Sequence, residues 1–354
     1  MKVGILSMQK VRNYGSFLQA FALKKTVESF GNEVEFIDII PGTRITEYKI
    51  TLKRCFDWIV KHYFSLHAIS RWRYAVVSKR LFELFFEELG VHKHTFDSYD
   101  VVVIGSDEVF NIAQTTSWGY SSQLFGNVLN AKKVISYAGS FGQTSFELIQ
   151  SNRLTEDMTN ALRNMAAISV RDENSREIVW NLLHTNPSIN IDPVLLFDFS
   201  RDIRKIQEKN YILVYSYPNR IKDKNTIKSI KIFAQRNNKK IFSIGSFYEW
   251  ADAVLLPHPF ECLSYFRSAD YVITDTYHGA VVSIKYNKQF AVLVNDSNKN
   301  KLEHLLKLLK VERQIVENYS NIDSVLSQKI DYADINVIIK NEIQMSLKYL
   351  RRNL

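Results

Sequence analysis

Apolar and polar residues fall into blocks along this chain, and the blocks predict strands that alternate with helices. Residues 2–7 form a short apolar run that reads as a buried strand, and a polar loop with Asn13, Tyr14 and Gly15 follows. From 16 to 30, apolar residues recur at helical spacing through Phe17, Leu18, Phe21, Ala22, Val27 and Phe30. Gly31 is placed to end that helix, and 33–39 returns to strand. The opening is therefore the strand–helix–strand of a Rossmann-like half. It lacks Gly-x-Gly-x-x-Gly, so a nicotinamide or flavin cofactor is not indicated.

Residues 41–90 read as a helical insertion. Its stretch 71–89 is amphipathic and sets Arg71, Arg73, Lys79 and Arg80 beside Trp72, which suits ordinary domain packing or an anionic membrane face. Strands are predicted at 99–104, 133–137, 167–170 and 189–192, with helices at 154–165 and 174–183. A second half starts near Ser200. Its strands are predicted at 211–215, 240–244, 271–274 and 290–294, and its helices at 222–236, 260–267, 280–286 and 301–309. Residues 245–258 read as a loop. The helix at 331–352 is long enough to cross back to the first half. The expected organisation is a domain at 1–199, a second at 200–330, and a terminal helix at 331–354. A length of 354 residues suits two cores better than one.

Composition narrows the chemistry. The formal net charge of +9 suits an anionic partner, although lysines also serve solubility. Zinc-finger, RNA-binding and helix-turn-helix signals are missing, so nucleic acid is not expected. Two cysteines, Cys55 and Cys262, provide neither a disulfide framework nor a metal-ligand spacing. The N-terminal apolar run is too short for a signal peptide, and no apolar run reaches the roughly 18 residues of a membrane span. The expectation is a metal-free protein of the reducing cytoplasm.

Candidate chemistry collects at strand ends. His278 stands between strand 271–274 and the next helix, where ligands meet an open α/β sheet. The helix start offers N–H donors and a positive dipole end, and Gly279 has no side chain to hold a ligand away. A histidine there can pass a proton to a bound phosphate or carboxylate; the plainer reading is a surface cap. Asp107, after strand 99–104, can accept a proton from a sugar hydroxyl or simply cap a turn. Arg171 can grip an anion bidentately or pair with Asp172 or Glu173. Asn13 and Gly15 can meet a ligand or make a tight turn.

Read in order, these segments resemble the polysaccharide pyruvyl transferase family. The resemblance rests on the runs Asn13-Tyr14-Gly15-Ser16-Phe17-Leu18, Gly105-Ser106-Asp107-Glu108, Tyr137-Ala138-Gly139-Ser140, Val170-Arg171-Asp172, Asp192-Pro193-Val194 and Thr274-Asp275-Thr276-Tyr277-His278-Gly279. It implies an α/β fold with two Rossmann-like domains facing across a cleft, similar to the GT-B arrangement. It implies phosphoenolpyruvate as co-substrate, with no separate cofactor. The acceptor would be a sugar of a surface polysaccharide (capsule or exopolysaccharide) or its lipid-linked precursor, and the product a cyclic pyruvate ketal. His278 and Asp107 would be catalytic. Arg171, Gly279 and Thr276 would hold the donor, and Asn13, Gly15 and Glu108 the acceptor. Some members carry an Arg where this chain has Thr276, so another cation must complete the anion site; Lys285, Lys288 and Arg267 are the candidates. A lipid-linked acceptor would bring the protein to the inner face of the cell membrane. Two alternatives stay open in the same architecture: a glycosyltransferase using a nucleotide sugar, and a non-catalytic binding protein.

Overall fold

The computed structural model describes residues 1–45, 67–114, 116, 118–295 and 298–354. The part of the predicted insertion at 46–66, with Cys55, lies outside the described residues.

The first half builds one parallel sheet from β1 (Lys2–Leu6), β2 (Glu33–Phe36), β3 (Val101–Asp107), β4 (Val134–Gly139), β5 (Ser169–Val170) and β6 (Ser188–Ile189), in the order β2-β1-β3-β4-β5-β6. The second half builds another from β7 (Tyr211–Tyr215), β8 (Lys240–Ile244), β9 (Ala253–Leu255), β10 (Tyr271–Thr274) and β11 (Gln289–Val292), ordered β11-β10-β7-β8-β9. The central strands β1, β3, β7 and β10 are almost wholly buried, because helices cover both faces of a parallel sheet. Their continuous Val/Ile runs therefore carry no polar alternation.

The helices around the two sheets are α1 (Tyr14–Glu28), α2 (Ala68–Leu89), α3 (Phe146–Ser151), α4 (Thr155–Arg163), α5 (Glu173–Leu183), α6 (Pro193–Leu196), α7 (Lys224–Arg236), α8 (Pro259–Ser268), α9 (Tyr277–Lys285), α10 (Lys299–Leu308), α11 (Ile322–Ser327) and α12 (Ala333–Asn353). An aromatic seam joins the halves: Phe21 meets Phe260 edge-on at 4.9 Å, and the Tyr14 hydroxyl donates to the Pro257 carbonyl at 3.0 Å. The last helix leaves the second half, where the Tyr332 hydroxyl donates to the Lys288 carbonyl. It then docks on the first half, where the Tyr349 hydroxyl donates to the Ser136 carbonyl at 2.9 Å.

Several boundaries differ from the sequence reading for local reasons. Helix α1 starts two residues early because the Asn13 side chain caps it, accepting from the Ser16 N–H at 2.7 Å. Strand β3 continues through Gly105 and Ser106 to Asp107, paired with β4 as far as Gly139. The segment read as loop 245–258 contains the short edge strand β9. The strand expected at 189–192 shrinks to Ser188–Ile189, since Asp192 caps α6 and Pro193 has no N–H to offer a ladder. Among the described residues, no helix is long and apolar enough to cross a membrane.

Candidate functional site

Each sheet reverses its strand order once. In the first, the chain passes from β1 outward to β2 and then returns to β3 on the other side; in the second, β7, β8 and β9 run one way before β10 begins on the other. At such switch points neighbouring loops diverge and leave a crevice outside the carboxyl ends of the strands. Here the crevices face each other. Asn13 and Ser16 follow β1, Asp107 and Glu108 end β3, Tyr217 and Arg220 follow β7, and Asp275 and Tyr277 follow β10. All eight line one chamber of about 320 Å³, joined by Lys301 near the start of α10. A second chamber of about 540 Å³ shares Asn13 and Tyr217 with it and is walled by Tyr74, Phe247, Tyr248 and Trp250.

Under the smaller chamber lies a closed charge cluster. Arg171 is 3% exposed. One of its terminal nitrogens donates to Asp192 Oδ2 at 2.9 Å and the other to Asp107 Oδ1 at 3.3 Å. The Tyr277 ring covers the guanidinium at 4.2 Å. The sequence neighbours offered as partners are occupied elsewhere: Asp172 caps α5 through the Ser175 N–H, and Glu173 pairs with Arg176. Residues 64 positions apart thus neutralise each other, a pairing that only the fold could arrange.

His278 is 4% exposed and belongs to the same cluster. Its Nε2 stands 3.4 Å from Asp192 Oδ2, an ion-pair contact without hydrogen-bond geometry. The imidazole lies directly on Gly15, where a Cβ would come within 2.3 Å of Nδ1. Gly15 is therefore small so that the two halves can close on the histidine. Gly279 is small for a related reason: a Cβ there would stand 2.0 Å from the Thr274 hydroxyl oxygen. Its N–H is not an open donor as expected, because Thr276 caps α9 by accepting it at 2.8 Å. Thr276 thus spends its hydroxyl on the helix.

Two carboxyls of the site move in opposite directions. Burial pushes Asp107 up, but His278, Arg171 and Lys301 together bring it down to about 2. It also accepts from the Ser16 hydroxyl at 3.1 Å. Asp275 is raised by burial, against the pull of Ser216, the Tyr217 N–H and Arg220. Its Oδ1 accepts the Tyr217 N–H at 3.1 Å, while Oδ2 has no hydrogen-bond partner among the described residues and faces Arg220 Nε at 4.0 Å. A depressed carboxylate stabilises the fold above its unfolded pKa near 4, and that contribution is lost as pH falls toward the folded value. Asp192 is also lowered, so urea unfolding followed by tryptophan fluorescence should show stability dropping from pH 5 to pH 3. A flat profile over that range would contradict the charge pairing.

The other expected residues are placed as follows. Glu108 pairs with Lys301 and accepts from Asn111 Nδ2 at 2.6 Å. Asn13 lines both chambers while capping α1. The cations offered to replace the missing Arg are elsewhere: Lys285 donates to the Phe197 carbonyl and Lys288 to the Arg267 carbonyl. Lys285 ends α9, about 12 Å of helix away from its start, and Lys288 lies beyond that end. Arg220 and Lys301 line the chamber instead. Of the basic residues on α2, Arg71 turns inward to Glu249, whereas Arg73, Lys79 and Arg80 are exposed, with Lys79 on the wall of the larger chamber. Sequence reading passed over Lys301, Arg220 and Asp275. One signal did exist: two lysines in the first turn of α10, Lys299 and Lys301, oppose the helix dipole and so ask for an external reason.

Comparison with known proteins agrees with this architecture. A family model described as polysaccharide pyruvyl transferase matches residues 13–297, a span that includes the whole buried cluster. Among solved structures, a UDP-GlcNAc 2-epimerase from Neisseria meningitidis bound to UDP-GlcNAc superposes with a TM-score of 0.51 at 12% identity over 100% of both chains. A glycotransferase of kitacinnamycin gives 0.49 at 10% identity, covering 100% of this chain and 98% of its own. A spinosyn rhamnosyltransferase gives 0.47 at 12% identity over 99% of each. At these identities the likeness is one of fold, the GT-B pair of Rossmann-like halves. No curated protein matches the chain.

Proposed function

We propose, for a chain that belongs to the polysaccharide pyruvyl transferase family, that it moves pyruvate from phosphoenolpyruvate onto two hydroxyls of one glycan sugar as a cyclic ketal. The observation that supports this best is the chamber between the two switch points, where Lys301 and Arg220 stand beside Asp275, Asp107 and Glu108. A doubly anionic donor needs the cations, and a polyol needs hydrogen-bond acceptors.

The chemistry follows from where protons must go. The enol methylene gains a proton, which makes C2 electrophilic. A sugar hydroxyl attacks C2 and loses its proton, the C2–O bond to phosphate breaks, and a second hydroxyl closes the ring. One hydroxyl proton balances the proton now on the methyl group, and the other leaves with phosphate. In this reading His278 supplies the proton to the methylene or to the leaving phosphate. Asp275 accepts from the attacking hydroxyl, since its raised carboxyl and its Oδ2, without a hydrogen bond among the described residues, suit a base better than Asp107 at about 2. Asp192, itself held by Arg171, then orients His278. The larger aromatic chamber takes further sugar units of the acceptor. A lipid-linked acceptor fits the exposed Trp72 and Arg73 of α2, which would rest on an anionic membrane surface.

The test is ligand-induced thermal stabilisation, because a ligand that binds only the folded state raises the melting temperature. Phosphoenolpyruvate is expected to give a rise of a few degrees, and a panel of sugar nucleotides none. A rise with a sugar nucleotide alone would replace the reading with a nucleotide-sugar glycosyltransferase. No rise with either would remove the donor site as drawn.

A further inference from the structure

Lys301 occupies an unusual place for a lysine. It is 8% exposed, lies in the first turn of α10 against the helix dipole, and reaches across the cleft from the second half to Glu108 of the first. Its ammonium is also 6.0 Å from the Tyr277 ring. The neighbouring Asn300 side chain donates to the Gly142 carbonyl at 3.2 Å, so this turn of α10 is fixed to the first half beside the chamber. Arg171 is closed off by two carboxylates and a ring, and Arg220, the other cation on the chamber wall, bonds Asn295 and faces Asp275. An incoming anion therefore meets Lys301 with less to displace.

We propose that Lys301 is the cation that receives the anionic donor, and that Glu108 holds its place in the free protein. Donor binding is then an exchange of one anion for another on a single buried ammonium. The inference rests on the phosphoenolpyruvate reading and assigns the residue that answers for Thr276.

Three observations carry it. Both members of the pair line the chamber, so the pair lies inside the space a donor would use. The lysine side chain is 9% exposed and the glutamate 24%, so the carboxylate is the partner that can turn toward water while the ammonium stays. Asp107 and Asp275 line the same walls, so a donor anion arriving with Glu108 still in place would meet added negative charge. Phosphate or carboxylate oxygens replace the lost contact with charge-assisted bonds of the same kind.

The alternative is a bridge that only ties the halves together. The two ideas predict different signs. If the pair is merely structural, removing either partner loosens the cleft and moves donor affinity in the same direction. If Glu108 is a stand-in, Glu108→Gln removes a competitor and Lys301→Met removes the receptor. Isothermal titration of the full chain with phosphoenolpyruvate should show affinity rising about 10-fold in Glu108→Gln and falling about 10–100-fold in Lys301→Met. Lys301→Arg, which keeps the charge, should recover most of the loss. Circular dichroism melts check that each variant is folded, and Asn300→Ala controls for the loss of a bridge alone. If the parent binds phosphoenolpyruvate and both variants shift the same way, or neither shifts, the exchange idea is overturned while the donor reading stands. If the parent does not bind phosphoenolpyruvate, the donor reading falls and takes this inference with it.

Discussion

Replacing Arg171 by methionine should lower the unfolding free energy by about 3–5 kcal/mol at neutral pH, because removing one partner leaves other buried charges without compensation. Methionine keeps the apolar stem that lies under Tyr277, so lost packing contributes little. Two carboxylates lose their cation together: Asp107 and Asp192 each bond a different terminal nitrogen of Arg171. The penalty should also shrink as pH falls, since in the variant both aspartates can take up protons and become neutral. Urea denaturation at pH 7 and pH 4 measures both effects. A loss below about 1 kcal/mol at pH 7, or a loss that grows on acidification, would show that the cluster is not held by this charge. Arg171→Lys should fall between, since an ammonium lacks the planar fork that reaches two carboxylates at once.

His278→Gln is expected to reduce pyruvyl transfer by roughly 10²–10⁴-fold, the range that a positioned proton donor contributes. Glutamine is polar and of comparable size, so the contact with Gly15 and Tyr277 survives while the imidazole is lost. The assay is phosphate release from phosphoenolpyruvate with the cells' own glycan precursors as acceptor. The melting temperature should move little, and binding of phosphoenolpyruvate should persist, because the chamber cations are untouched. Full activity would make His278 a packing residue at the seam between the halves. Lost binding with retained fold would give it a role in holding the donor rather than in proton transfer.

The cluster explains why the functional motifs are scattered along the chain. Asp107, Arg171, Asp192 and His278 come from four separate strand ends, and the two switch points bring them within hydrogen-bonding range or just beyond it. Each motif on its own supports a local reading as readily as a functional one. Asn13 is a helix cap, Asp172 is a helix cap and Thr276 is a helix cap. For Asn13 the cap coexists with a place on the chamber wall. Glycine at 15 and 279 has a reason that a sequence cannot display, since the atoms it makes room for belong to His278 and Thr274.

What the sequence by itself determined was the alternation of buried strands and amphipathic helices, the division into two Rossmann-like halves, and the placing of chemistry at strand ends. These follow from local rules of periodicity, capping and turn formation that act over a few residues. Tertiary structure alone decided which charges neutralise which, that Arg171 is closed rather than open, and that Lys301 and Arg220 supply the chamber's cations in place of Lys285, Lys288 and Arg267. Those facts depend on burial and on contacts between residues up to 193 positions apart, as Glu108 and Lys301 are. Charge strength in a protein is set by desolvation and by neighbours in space, and only the folded chain supplies either.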